Sequence, residues 1–150
     1  MIVVSAHRDI AMLSVAELTR LIAARDVSPV EVVDACLERI EACNDKINAM
    51  CTLSPSARDE ARAIERKIAE GEPLPPLAGI PVGIKDVTPT AGLRTTFGSR
   101  LYEDHVPEED AWVVRRLREA GAVIMGKTNT PEFAKGGNTF NEVFGHTRNP

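Results

Sequence analysis

Between residues 77 and 125 two short apolar segments enclose one amphipathic helical segment, and that order constrains the fold more than any other feature of the chain. The first apolar segment is Gly79-Ile80-Pro81-Val82-Gly83-Ile84-Lys85-Asp86. A helix is expected over residues 108–120, with Ala111, Val114 and Leu117 on its apolar side, followed by a β-branched strand at 122–125. Strand, helix, strand predicts a sheet with crossover helices, hence an α/β fold.

Upstream, the sequence reads as a helical arm. Ser14 is placed to cap a helix, with Glu17 at the capping-box position and Leu13 and Leu18 spaced as a hydrophobic staple. That helix should end near Arg25. Ser28-Pro29-Val30-Glu31 repeats the device with proline at the first helical position, and Val33, Cys36, Leu37 and Ile40 follow along one buried stripe. Residues 47–53 are strand-like. Ser54-Pro55 then opens a third helix whose Ala57, Ala61, Ile64 and Ile68 form a narrow apolar edge ending at Gly71. Glu72-Pro73-Leu74-Pro75-Pro76 cannot be helix, because its prolines fix φ and withhold amide donors. It divides the chain into an arm with its linker, residues 1–75, and a core, residues 76–150.

Composition removes several classes of partner. Eighteen Lys and Arg against twenty-two Asp and Glu leave a net charge of -4, with no surplus of cations for a phosphate backbone or an anionic lipid surface. Neither nucleic acid nor membrane is expected as a partner. The longest apolar runs, such as residues 1–4 and 122–125, fall far short of the roughly 18 residues that span a bilayer. After residues 1–4 come Ser5, His7, Arg8 and Asp9, without a basic leader or an export segment, which points to a cytoplasmic protein. Cys36, Cys43 and Cys51 fit that compartment, since an odd set without C-x-x-C spacing is neither a disulfide framework nor a zinc site. On a shared helix Cys36 and Cys43 would stand about 10 Å apart along the axis, too far to bridge. His7, His105 and His146 have no near neighbour of ligand type and read as surface or loop histidines.

The candidate for chemistry is Lys85. As a strand, residues 79–86 put Ile80, Val82 and Ile84 on one face and Pro81, Gly83 and Lys85 on the other. The missing side chain of Gly83 would leave a backbone-walled recess beside Lys85, and Asp86 would point to the opposite face. Desolvation frees a lysine to act as a base, whereas an adjacent carboxylate keeps it protonated. The alternative is a strand-end lysine, solvated or paired with a carboxylate. Thr88, Thr90, Thr95, Thr96 and Ser99 supply hydroxyls nearby, none in a G-x-S-x-G elbow, and they read as turn formers. Asn129, Glu132 and Arg148 read as turn, first-turn and solvated or paired residues.

Gly121-Ala122-Val123-Ile124-Met125-Gly126-Lys127-Thr128 matches the Walker A pattern letter for letter. Its four intervening residues have the composition of a buried strand, whose amides are committed to a ladder and unavailable to phosphate. Gly121 sits where a helix C-cap belongs, and the next helix start is Thr130-Pro131-Glu132, not the residue after Lys127. The phosphate-loop reading is therefore rejected.

Four stretches together carry a family resemblance. They are Pro76-Leu77-Ala78-Gly79-Ile80-Pro81-Val82-Gly83-Ile84-Lys85-Asp86, Asp110-Ala111, Gly121 through Ala134, and Phe144-Gly145-His146-Thr147-Arg148-Asn149-Pro150. In this combination the chain resembles the amidase signature family of serine hydrolases. The arm, with Glu17-Leu18 and Ser28-Pro29-Val30-Glu31-Val32-Val33, resembles that family's N-terminal part, and the match is weakest at residues 1–12 and 52–73.

The resemblance implies an α/β fold with a mixed sheet flanked by helices, of which residues 76–150 are the first part of the catalytic core. It implies a Ser-Ser-Lys triad in which Lys85 is the base, acting through a bridging serine in a cis peptide on a second serine that attacks an amide carbonyl. It implies no metal and no organic cofactor. Both serines belong to a glycine-serine-rich region that the family places after the Arg148-Asn149-Pro150 match, and no Gly-Gly-Ser-Ser run occurs in these 150 residues. Of the catalytic residues only Lys85 carries over. The expectation is an incomplete amidase-signature fold, inactive by itself, whose substrate is a small-molecule amide, with a homo-oligomer left open. The alternatives are a noncatalytic interaction module on the same scaffold, and the family's subunit that hydrolyses glutamine for a transfer-RNA amidotransferase. The residues around Lys85-Asp86-Val87-Thr88 and Thr130-Pro131-Glu132-Phe133 favour a general amidase over that subunit.

Overall fold

A computed structural model describes residues 9–150; His7 and the expectation of no export leader lie outside the described residues. Among the described residues, four α-helices, α1 (Val15–Ala23), α2 (Pro29–Ile47), α3 (Ala57–Glu70) and α4 (Trp112–Glu119), surround a sheet of β1 (Met50–Leu53), β2 (Pro81–Lys85) and β3 (Val123–Thr128). A short ribbon of β4 (Phe140–Asn141) and β5 (Gly145–His146) follows. The sheet runs β1-β3-β2, with β3 parallel to β2 and antiparallel to β1. The parallel pair joined through α4 is the strand-helix-strand unit that the sequence predicts, and β1 makes the sheet mixed.

Local chemistry explains where most elements begin. Ser14 and Ser28 both close full capping boxes, with Glu17 and Glu31 returning a bond to the cap amides. Pro29 starts α2 at a position whose N–H would have no helical partner. Two starts differ from expectation. α3 begins after Ser56, which stands at the N-cap without a side-chain cap bond, because Ser54 Oγ and Ser56 Oγ bond each other and Ser56 Oγ donates to Glu60. α4 begins at Trp112, not near residue 108. The segment before it is held by a loop: Ala111 N–H donates to the Pro89 carbonyl, Gly92 N–H to the Pro107 carbonyl, and Ala91 N–H to Asp110 Oδ1.

Helices cover both faces of the sheet. Val33 of α2 and Ala57 and Ala61 of α3 pack with Val123 and Met125, while Val114 of α4 packs with Ile84, Leu93 and Ile124 on the other side. A third cluster joins Leu18, Leu21, Ile22, Val27 and Val32 to Ile80. Residues before and after position 75 share these cores. Each fully buried valine or isoleucine contributes about 1.5–3 kcal/mol. Arg118 ties the edges together, donating to Glu60 at 3.0 Å and Asp110 at 3.1 Å, while Glu60 Oε2 accepts the Ile124 N–H at 3.3 Å.

The register of β3 carries one irregularity that matters for the site. Val82 pairs with Ile124 but Gly83 pairs with Gly126, so Met125 is an extra residue and β3 is bulged. Gly126 has φ 144°, and a Cβ there would stand 2.1 Å from the Thr52 carbonyl oxygen. Gly121, the other Walker glycine, has φ 86° directly after the C-cap Ala120 and backs onto Pro75 and Ala78. Neither glycine belongs to a phosphate loop.

Candidate functional site

The carboxyl ends of parallel strands are where α/β sheets place their chemistry. Here those ends are Lys85 on β2 and Thr128 on β3, which are register partners. Lys85 lies on the face of β2 opposite the buried Ile84, as alternation requires, and Asp86 turns the other way into the protein.

The recess expected beside Lys85 is not present among the described residues, where its side chain is exposed. A Cβ on Gly83 would lie 2.9 Å from the Thr128 methyl and 3.8 Å from the Met50 sulfur, so Thr128 crowds part of the space that glycine leaves, while Gly83 itself stays exposed. On the same side of the sheet an apolar groove of about 450 Å³ runs between α2 and β2, lined in part by Cys36, Ile40, Cys43, Met50 and Gly83. Lys85 does not line it. The three cysteines are free and partly exposed.

The buried lysine is instead Lys127. It has no exposed surface, and its Nζ donates to the Thr88 carbonyl, to Thr90 Oγ1 at 2.9 Å and to Thr95 Oγ1 at 2.9 Å. The two hydroxyls donate their own protons onward, Thr90 to the Thr88 carbonyl and Thr95 to the Leu93 carbonyl. Three acceptors therefore face one nitrogen, and only the ammonium form supplies three donors. Burial pulls the pKa of this lysine down to about 8, opposed by the negative potential of Asp86, Cys51 and Asp110.

Asp86 is equally buried. Its Oδ2 accepts from Thr96 Oγ1 at 2.6 Å and from the Thr96 N–H at 3.1 Å, while Oδ1 has no hydrogen-bond partner. Burial pushes the pKa of this carboxyl above its ordinary value, against the pull of Thr96, Lys127 and Arg94. The hydroxyls read as turn formers thus do more than shape turns. Thr90 and Thr95 hold an ammonium and Thr96 holds a carboxylate, and all three are buried with Ser99. Such placement denies a substrate access to them as nucleophiles.

Two loops with left-handed residues dock onto this end of the sheet. Phe97, at φ 56°, donates its N–H to the Asp86 carbonyl, and Phe133, at φ 48°, donates to the Phe97 carbonyl at 2.7 Å. Asn129 is buried where a turn residue is expected. Its Oδ1 accepts from Asn141 Nδ2 at 2.7 Å and its Nδ2 donates to Thr147 Oγ1 at 3.1 Å, fixing the ribbon to the end of β3. Glu132 and Arg148 are exposed. His105 lies among Phe97 and Tyr102, and His146 sits against Phe140. Among the described residues no group of three His, Cys, Asp or Glu converges on a point that would hold a metal.

Known proteins resemble this chain in both sequence and geometry. The family model described as Amidase matches residues 31–150. The chain belongs to the amidase signature family. Among curated relatives of this amidase-family chain is a protein of Carboxydothermus hydrogenoformans named as the A subunit of Glutamyl-tRNA(Gln) amidotransferase, 48% identical over 95% of the chain and 30% of its own length. A bacterial aryl acylamidase of the amidase signature family superposes with TM-score 0.89 at 32% identity, covering 95% of the chain and 30% of that protein. A structure described as an unexpected vestigial protein complex, bearing on the origins of an s-triazine catabolic enzyme, gives TM-score 0.87 at 40% identity, with 92% and 31% covered. The chain spans about 30% of the length of the curated relatives it matches. The proteins matched include both an amidotransferase subunit and an aryl acylamidase, and the name of the former gives no support to excluding nucleic acid as a partner. No helix among the described residues is long and apolar enough to cross a membrane.

Proposed function

We propose that this chain is the N-terminal portion of an amide hydrolase in which Lys85 is the general base. The reading is supported above all by the place of Lys85, at the carboxyl end of a parallel strand with its side chain free of the core. A neutral lysine takes a proton through a bridging serine from a second serine, whose oxygen attacks the amide carbonyl. The amine leaves with the proton returned by the same relay, and water then releases the acid, so that RCONHR' and H2O become RCOOH and H2NR'. Backbone amides of a glycine-rich loop would hold the oxyanion. Both serines, that loop and the apolar cover over Lys85 would come from polypeptide outside these 150 residues, which alone are expected to be inactive.

Glutamine is the second substrate reading. It is favoured by the 48% identity to a protein named as part of a Glutamyl-tRNA(Gln) amidotransferase. Under it, the partners would include further subunits together with a transfer RNA, and the negative charge of these residues would leave the nucleic-acid surface to other parts of the assembly. Either reading suits a cytoplasmic protein, in keeping with three unpaired cysteines.

Hydrolysis of a panel of amides, including glutamine and an aryl amide, tests both readings. The full-length gene product and the 150-residue chain are assayed beside their Lys85→Ala variants. Turnover by the full-length protein alone, abolished by Lys85→Ala, is the expected result, and a preference within the panel decides between glutamine and other amides. Full activity in Lys85→Ala would overturn the assignment of the base.

A further inference from the structure

Lys127 belongs to no step of the reaction proposed above, yet no other lysine among the described residues is as deeply buried. Sheltering an ammonium is costly unless every donor is matched, and here all three are matched by oxygens of one loop, at Thr88, Thr90 and Thr95. That loop is the segment that leaves β2 immediately after Lys85 and Asp86. Its far end is fastened by Asp86, whose Oδ2 takes two bonds from Thr96 and whose carbonyl takes the Phe97 N–H. The N–H of Asp86 in turn donates to the Thr128 carbonyl at 2.9 Å, one residue past Lys127. The peptide joining Lys85 to Asp86 is therefore held by β3 on one side and by a loop clamped around Lys127 on the other.

We propose that Lys127 is a positioning residue for Lys85, its buried ammonium clamping the loop over residues 88–95 so that Asp86 and the end of β2 stay in one place. The same clamp supports the left-handed turn at Phe97, on which Phe133 hangs by its N–H. Backbone conformations of that kind persist only where the surroundings over-determine them. Substitution of the ammonium removes the common partner of three loop oxygens and lets the strand end shift relative to whatever group Lys85 serves. Misplacement of a reacting group by about 1 Å costs on the order of 100-fold in rate.

This inference rests on the assignment of Lys85 as the base. It is tested in the full-length gene product with Lys127→Met, which keeps chain length without charge, and with Thr95→Val, which deletes one acceptor and is the milder change. Val33→Ala, in the core that α2 and α3 form with Val123 and Met125 on the face of β3 opposite Lys127, serves as a destabilised variant whose packing cluster includes no residue of the loop. With each assayed well below its melting temperature, Lys127→Met is expected to lose about 10- to 100-fold in kcat with KM changed less than about threefold. Thr95→Val should lose kcat in the same sense by a smaller factor, and gives the answer if Lys127→Met does not fold. Val33→Ala should keep kcat despite a lower Tm. An active wild type whose Lys127→Met or Thr95→Val variant keeps kcat, or loses no more than Val33→Ala, overturns this inference alone. A wild type that turns over no amide removes the hydrolase reading beneath it.

Discussion

Ile84 and Lys127 are register partners across β2 and β3, so an isoleucine of the core and a charged lysine share one buried face, while Lys85, the next residue along β2, emerges on the other. The bulge at Gly126 produces this arrangement. Strict alternation from Val123 and Met125 would put Lys127 against α2 and α3, but the extra residue shifts it to the side of Ile124, where the threonine loop waits.

A lysine buried in this way leaves a signature in stability against pH. The pKa of Lys127 is about 8 in the folded chain, below its ordinary 10.5, so between those values the unfolded chain binds more proton. Stability then rises with pH across that window, because the cost of sheltering the charge is relieved as the folded form loses its proton. Denaturant unfolding of wild type and Lys127→Met at several pH values isolates the effect. The difference, wild type minus variant, should grow from pH 8 to pH 10.5 and stay flat between about pH 6 and 7. A difference that falls across the alkaline window would contradict the burial described above.

The literal Walker A match predicts nothing about nucleotide here. Lys127 Nζ already has three oxygen partners, and the amides between the two glycines are engaged elsewhere, Ala122 N–H with the Leu117 carbonyl, Val123 N–H with the Ile80 carbonyl and Ile124 N–H with Glu60. Addition of ATP with magnesium to the chain should leave Tm unchanged, whereas a ligand of the folded state raises it by mass action. A shift that Lys127→Ala abolishes would reinstate the phosphate site.

What the sequence made legible was local. Capping boxes at Ser14 and Ser28 depend on residues three apart, and the alternation of Ile80, Val82 and Ile84 against Gly83 and Lys85 depends on a two-residue period, so both could be seen without the fold. The late start of α4 and the burial of Lys127 depend on partners about twenty to forty residues away along the chain, Pro89 for Ala111 and Thr88, Thr90 and Thr95 for Lys127. One signal was available: a glycine inside an apolar strand marks a bulge, and a bulge reverses the face of every residue after it. Applied at Gly126, that rule moves Lys127 into the company of Ile84.

The cap at Ser28 is expected to matter more than its exposure suggests. Ser28 Oγ accepts the Glu31 N–H at 3.1 Å, and Glu31 Oε2 accepts the Ser28 N–H at 2.7 Å, so one pair of side chains satisfies two amides at the start of the longest helix. Ser28→Ala should cost about 1 kcal/mol in chemical denaturation, and Ser28→Asp considerably less, since aspartate caps as well as serine. Equal losses for both would mean that the hydroxyl, not the cap bond, is what the site needs.

Gly126 and Gly71 separate two reasons for a glycine. Both have positive φ, 144° and 75°, but a Cβ on Gly71 meets nothing within 4 Å whereas one on Gly126 would lie 2.1 Å from the Thr52 carbonyl oxygen and 2.9 Å from Leu53 Cα. Gly71→Ala carries only the conformational penalty of a left-handed L-residue, about 1 kcal/mol. Gly126→Ala carries that penalty and also forces β1 away from β3, which breaks the pairing of Leu53 and Thr52 with the central strand. Its cost should exceed about 3 kcal/mol, beyond ordinary overpacking, and should show as loss of cooperative unfolding or failure to fold. Comparable midpoints for the two variants in urea would show that β1 yields at Thr52 without penalty, and that the close approach at the bulge is not what holds Lys127 on the face it occupies.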